Sequence, residues 1–200
     1  MITFHNRTQL DSLRLKNMCL DAIAPWRMGR LDVRVRYSRG ADFSGTCYYA
    51  GGKIYVNLGE HLAFPYVLGT FVARARTRGT RWWRPRVTIG LSDPYELVLF
   101  VFLHECYHWL IKCVGRNRRQ KEAMCDRFAA RVLVDQYGAQ LVDTEGQPIA
   151  RDEWDFQDLD AFVAAARVVP PVPIAARRPI PTPRAARVPG RRDGVQYLLF

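Results

Sequence analysis

Asp93-Pro94-Tyr95-Glu96-Leu97-Val98-Leu99-Phe100-Val101-Phe102-Leu103-His104-Glu105-Cys106-Tyr107-His108 reads as one helix. Asp93 supplies the short acceptor that suits an N-cap. Pro94 brings the fixed φ of a first helical position, and Glu96 stands at the third. The run from Leu97 to Phe102 is apolar on every side, and the pattern continues to about Cys113. A helix apolar nearly all round belongs in the middle of a fold rather than on its surface. Gly115 ends it, and Arg116-Asn117-Arg118-Arg119 forms a loop. A second helix is predicted from Gln120 to Tyr137, closed by Gly138 as a C′ glycine.

Upstream of this rod, Thr8 to Ala24 carries Leu10, Leu13, Met18, Leu20 and Ile23 at three- and four-residue spacings, an amphipathic helix stopped by Pro25. Leu31 to Tyr37 alternates apolar residues with Asp32, Arg34 and Arg36, as a half-buried strand does. Thr46–Ala50 and Lys53–Leu58 flank Gly51-Gly52 and read as a hairpin with a two-glycine turn. Residues 66–76 admit two readings: Pro65 suits the first position of a helix, while Phe71, Ala73, Ala75 and Thr77 alternating with Arg74, Arg76 and Arg78 favour a strand paired, through Arg78-Gly79, with Arg86 to Leu91. Downstream, a turn is expected around Glu145-Gly146-Gln147-Pro148 and a short helix from Asp158 to Val168. These elements predict a single α+β domain over residues 1–168. Residues 169–200 hold seven of the 12 prolines interleaved with Ala and Arg; they predict an extended tail with an apolar end, Val195 to Phe200.

Composition narrows the functional classes. The 200 residues are 48% hydrophobic and 24% charged, which is globular, and no apolar run is long enough to span a membrane. Five cysteines with no C-x-x-C pair fit neither a disulfide framework nor an all-cysteine zinc site, so a reduced, cytoplasmic chain is expected. The net charge is +11, and only four of 30 cations are lysine. Residues 167–193 contribute +6 of this, so the body stays basic without its tail. A basic body favours an acidic partner, nucleic acid first. An arginine-rich coding bias with a solvated surface is the competing reading.

The chemistry sits on the central helix. His104 and His108 are four apart, about 40° round a helix, so both imidazoles can reach one metal ion. Zinc accepts such a pair and keeps a position for water. Glu105, about 100° from His104, stands beside that water as general base. It would take the proton as the water attacks a carbonyl and pass it to the leaving nitrogen. With four His and six Glu in the chain, H-E-x-x-H arises by chance in roughly 0.2% of shuffled sequences. The carboxylates after His108 that could complete the site are Glu122, Asp126, Asp135 and Asp143. Glu122 and Asp126 share one helix face, so Glu122 as ligand, with Asp126 accepting from a ligating imidazole, is the economical assignment. The swap, Asp126 on the metal, stays open, and so does exposed helix charge for both. His5 and His61 are remoter ligand candidates.

His104-Glu105-Cys106-Tyr107-His108 followed by Glu122-Ala123-Met124-Cys125-Asp126-Arg127-Phe128-Ala129-Ala130 resembles the motif pair of compact gluzincin metallopeptidases, whose second motif is E-x-x-x-D. SprT-like and ImmA-like proteases belong to this class of small zincins. The resemblance runs over residues 31–137 in element order and over 104–108 and 122–130 in motif. It implies a small twisted sheet packed on the H-E-x-x-H helix and a second ligand-bearing helix. It also implies one Zn2+, hydrolysis of a protein or peptide substrate, and a substrate strand along a sheet edge, near Lys53–Leu58 or Arg86–Leu91. SprT-like sites complete the zinc with a third histidine, and no histidine follows His108.

Around the site, Cys106 is about 200° from His104 and points away from the metal; Cys106, Cys113 and Cys125 are expected to be buried small apolar groups. Arg74, Arg76, Arg78, Arg81, Arg84 and Arg86 enclose Trp82-Trp83, a pattern that suits phosphates and unpaired bases. The competing reading is a basic hairpin with both tryptophans packed on the core. Tyr48, Tyr49, Tyr107 and Tyr137 are candidate oxyanion donors. The alternative to a peptidase is a non-catalytic zincin-fold module that binds nucleic acid or protein through its basic surface. The intact Glu105 argues against it, since a scaffold needs ligands but no base.

Overall fold

The central helix forms where its capping signals place it. In the computed structural model, which describes residues 2–26, 28–115 and 122–164, α2 spans Pro94–Cys113. Asp93 caps it by accepting from the Glu96 amide at 2.9 Å, and Glu96 reaches back to the Ser92 amide at 2.7 Å. All side chains from Glu96 to Leu103 are buried. Cys113 emerges at the last turn and is exposed, which corrects the expectation of a buried group; Cys106 and Cys125 are buried as expected.

Three parallel strands lie under this helix. β1 (Ile2–Asn6) leads through α1 (Ser12–Ile23) to β2 (Leu31–Tyr37). A hairpin follows, β3 (Phe43–Tyr48) and β4 (Lys53–Leu58). The order is β1-β2-β4-β3, with β3 antiparallel to β4. β1 is an addition to the expected elements. Leu31, Val33, Val35, Ile54, Val56 and Leu58 are buried, the period-two pattern of strands with one face on a core. The hairpin turn is longer than two glycines. Tyr48 pairs with Lys53, so Tyr49-Ala50-Gly51-Gly52 make the loop, with Tyr49–Gly51 in a 3-10 turn and Gly52 at φ 57°.

A second, antiparallel sheet joins β5 (Tyr66–Thr70), β8 (Val87–Leu91) and β9 (Leu141–Val142) in the order β5-β8-β9. The expected pairing of Tyr66–Thr70 with Val87–Leu91 is present, but no strand runs on to residue 76. After Thr70 the backbone is diverted from the ladder: the Phe71 amide donates to Asp126 Oδ2 at 2.6 Å, and Val72 O accepts from Arg127 Nε at 2.8 Å. The alternation beyond it belongs instead to a separate ribbon, β6 (Arg76–Arg78) and β7 (Arg81–Trp83), closed by Gly79-Thr80 with Gly79 at φ 61°. Trp82 and Trp83 are 69% and 45% exposed, so they are not packed on the core. β4 and β8 are each flanked on both sides; neither is the free edge that the family resemblance suggested. In the first sheet the open edge beside α2 is β3.

α3 (Glu122–Tyr137) packs along α2. The Tyr107 and Phe128 rings stack with centroids 4.7 Å apart, and Gly138 at φ 70° ends the helix as expected. α4 (Arg151–Trp154) and α5 (Leu159–Ala164) follow. The expected end of the last helix at Val168, the expected loop Arg116–Arg119, the expected start of the second helix at Gln120 and the tail lie outside the described residues. Among the described residues no helix is long and apolar enough to cross a membrane.

Candidate metal centre

α2 contributes His104, Glu105 and His108, and α3 contributes Glu122, Cys125 and Asp126. Asp126 Oδ1 lies 2.8 Å from His104 Nδ1. An ionised carboxylate only accepts, so Nδ1 carries a proton and Nε2 is aimed at the gap between the helices, free to ligate once its own proton is displaced. There His104 Nε2 stands 3.1 Å from His108 Nε2 and 3.0 Å from Glu122 Oε2, and His108 Nε2 stands 3.4 Å from the same oxygen. A tetrahedron with spokes of roughly 2.0–2.1 Å has edges of roughly 3.3–3.4 Å. The three donor atoms therefore lie close to the spacing of one face of a zinc-sized site.

The electrostatics favour a cation at that point. Burial pulls the His104 imidazole down, but its bonds to Asp126 and Glu122 outweigh this and raise it to about 10. Hydrogen bonds from His104 and His108 hold Glu122 well below the usual carboxylate range. A proton or a divalent ion can satisfy this pull, but only an ion gives two imidazole nitrogens and a carboxylate a common partner. Two imidazoles and one carboxylate are also a usual donor set of catalytic zinc. The residues present fit the ion that the motif implies.

The sequence marks Cys125 only as a buried apolar group. Its Sγ lies within 4.8 Å of the ligand atoms of both histidines, so His104, His108 and Cys125 form a group that could hold a metal ion. That bound is wider than the 3.0–3.4 Å edges made by Glu122. Burial, reinforced by Glu122 and Asp126, pushes the Cys125 thiol far up, so ligation by this sulfur would first require the ion to displace its proton, whereas the Glu122 carboxylate is already charged. Glu122 is the better third corner.

Glu105 is 9% exposed and tucks under β3. Burial raises its carboxyl, the two histidines pull it back, and a hydrogen bond from the Cys47 backbone helps to hold the charged form. Gly45 makes this possible. A methyl group there would overlap Glu105 Oε1 and come within 2.7 Å of its Cγ and 2.9 Å of its Cδ. No signal in the sequence singles out Gly45 until β3 and α2 are set side by side.

The remaining candidates are engaged elsewhere. Asp135 pairs with Arg151, and Asp143 Oδ1 caps a turn by accepting from the Glu145 and Gln147 amides. His5 lies 3.5 Å from Asp32, and His61 is exposed. Tyr107 donates to Leu159 O at 3.0 Å from a fully buried position. Of the basic group around the ribbon, the Arg74 guanidinium covers the Phe156 ring at 3.9 Å and Arg84 donates to Ala73 O at 2.6 Å.

Compared with protein-family models, with curated proteins and with solved structures, the chain matches none. The reading of the site therefore stands on its geometry.

Proposed function

We propose that this chain is a zinc-dependent peptidase in which His104, His108 and Glu122 hold the ion and Glu105 is the general base. The observation that carries the reading is the 3.0–3.4 Å triangle of His104 Nε2, His108 Nε2 and Glu122 Oε2. The Glu122 side chain is 42% exposed, so the triangle is open to solvent on that side. Bound zinc would polarise a water and a substrate carbonyl. Glu105 takes the proton of the attacking water and returns it to the leaving nitrogen. A carboxyl raised by burial is suited to both transfers. The open edge of β3, adjoining α2, suits an extended peptide added as a further strand, with its main chain paired to β3.

Tyr49, in the turn after β3, is the tyrosine proposed for the oxyanion, since Tyr107 is committed to Leu159 O and Tyr48 is 55% exposed. Burial first, and then Cys47, Glu105, Cys125 and Glu122, push its hydroxyl up to about 12, so it remains a donor at neutral pH. Incubation with an unfolded protein substrate tests the whole reading: chelator should abolish cleavage and added zinc restore it. Cleavage indifferent to chelator, or metal-loaded protein that cuts no peptide bond, would sink it. In that assay Tyr49→Phe should lower kcat about 10²-fold with little change in KM. Gly45→Ala should keep the metal and the fold yet lose about 10²-fold in kcat, because the Glu105 carboxylate must move by a fraction of its own length.

The position of Cys125 favours a second reading. If its sulfur took the fourth corner, the site would be closed and structural, as befits a non-catalytic module. Loss of metal on Cys125→Ala would support that reading; unchanged metal content supports the peptidase.

A further inference from the structure

The ribbon of β6 and β7 has no part in the metal centre, and its surface is chemically distinctive. All six of its strand residues are exposed. Cross-strand partners share a face, so Arg76 and Trp83 stand together with Arg78 and Arg81, while Thr77 and Trp82 occupy the opposite face. Among the described residues, Arg76, Arg78 and Arg81 make no hydrogen bond, ion pair or ring contact with any side chain. No acidic residue occurs from His61 to Ser92; Asp143 and Glu153 line a pocket with Arg76 but form no ion pair with it.

We infer that this ribbon binds single-stranded nucleic acid, with Arg76, Arg78 and Arg81 on phosphates and Trp83 and Trp82 stacking on bases. Three unpaired guanidinium groups round one exposed indole are complementary to a strand that alternates anionic phosphate with flat aromatic rings. An anionic membrane fits less well. Its interface takes up indoles presented on one face together with aliphatic side chains; here the two indoles point to opposite faces, and residues 74–86 offer no apolar chain larger than alanine except those two and Pro85. The inference narrows the basic group singled out from sequence, since Arg74 and Arg84 are committed to Phe156 and to Ala73 O. It does not rest on the peptidase reading, because no ribbon residue touches the metal ligands.

The test uses the full chain and a fluorescently labelled oligothymidylate of about 15 nucleotides, with anisotropy measured over a range of salt. Binding should weaken as salt rises. Replacing Arg76, Arg78 and Arg81 together with alanine should lower the slope of log K against log salt by about 2, at roughly 0.7 per phosphate contact. Trp82→Ala and Trp83→Ala should each weaken binding about tenfold, and oligothymidylate should quench tryptophan emission in the wild type. A thermal unfolding midpoint equal to wild type shows that each variant is folded, and the wild-type quenching stands even if the triple variant is not. Undiminished binding by the triple variant would place the contact elsewhere, for instance on the arginines of residues 167–192, and overturn the inference. So would a tryptophan response to anionic phosphatidylserine vesicles or to polyglutamate with none to oligothymidylate.

Discussion

Glu105→Gln is expected to retain about one equivalent of metal while peptide cleavage falls by about 10²–10⁴-fold. The amide keeps the volume of the carboxylate beneath Gly45 and can still accept from the Cys47 backbone. None of the three donor atoms of the triangle is altered, so affinity for the ion has no reason to change. What disappears is a group able to receive a proton from water. Burial already works against the charged form of Glu105, so a neutral replacement should not destabilise the fold, and thermal unfolding should match wild type. Metal analysis and cleavage of an unfolded protein, run on one preparation, check both halves. A Glu105→Gln protein as active as wild type would remove the proposed mechanism.

The second large effect concerns the third ligand. Glu122→Ala deletes one corner of the triangle and should leave purified protein nearly free of metal, since two imidazoles alone hold zinc weakly. Asp126→Ala should act differently. It weakens binding about 10–100-fold by releasing His104 Nδ1, and it leaves the part-buried Phe71 amide without its acceptor, at about 1 kcal/mol of stability. Equilibrium dialysis against zinc, combined with denaturant unfolding, separates the two. Full metal loss in Asp126→Ala with retention in Glu122→Ala would exchange their roles.

The central helix, its cap, two histidines on one face of it and the carboxylates beside them on the next helix were all legible, because each rests on short-range spacing. Asp93 and Pro94 act within one turn, and His104 and His108 face alike on any helix. Glu122 and Asp126 needed only one further step, that the second helix folds back on the first. What escaped depended on packing between segments distant in the chain. Gly45 matters only because β3 crosses over Glu105. Cys125, without a second cysteine near it, looks like any buried small residue until the imidazoles are placed beside it. Residues 71–75 alternate like a strand, yet Asp126 and Arg127 take up the backbone groups a ladder would have used. The sheet edge differs for the same reason: strand order is a non-local fact, and β4 looks like the free side of its hairpin until β2 lies beside it.

Asp126 joins two parts of the molecule that chain order keeps 33 residues apart, His104 and Phe71. With one oxygen on each, it works as a rivet rather than a hinge: neither the imidazole nor the strap can shift without breaking a bond on the other side. The strap leads within five residues to the arginine-tryptophan ribbon. Whatever grips that ribbon therefore pulls on a segment fastened through Asp126 to His104, and any slack there would be felt first by that imidazole.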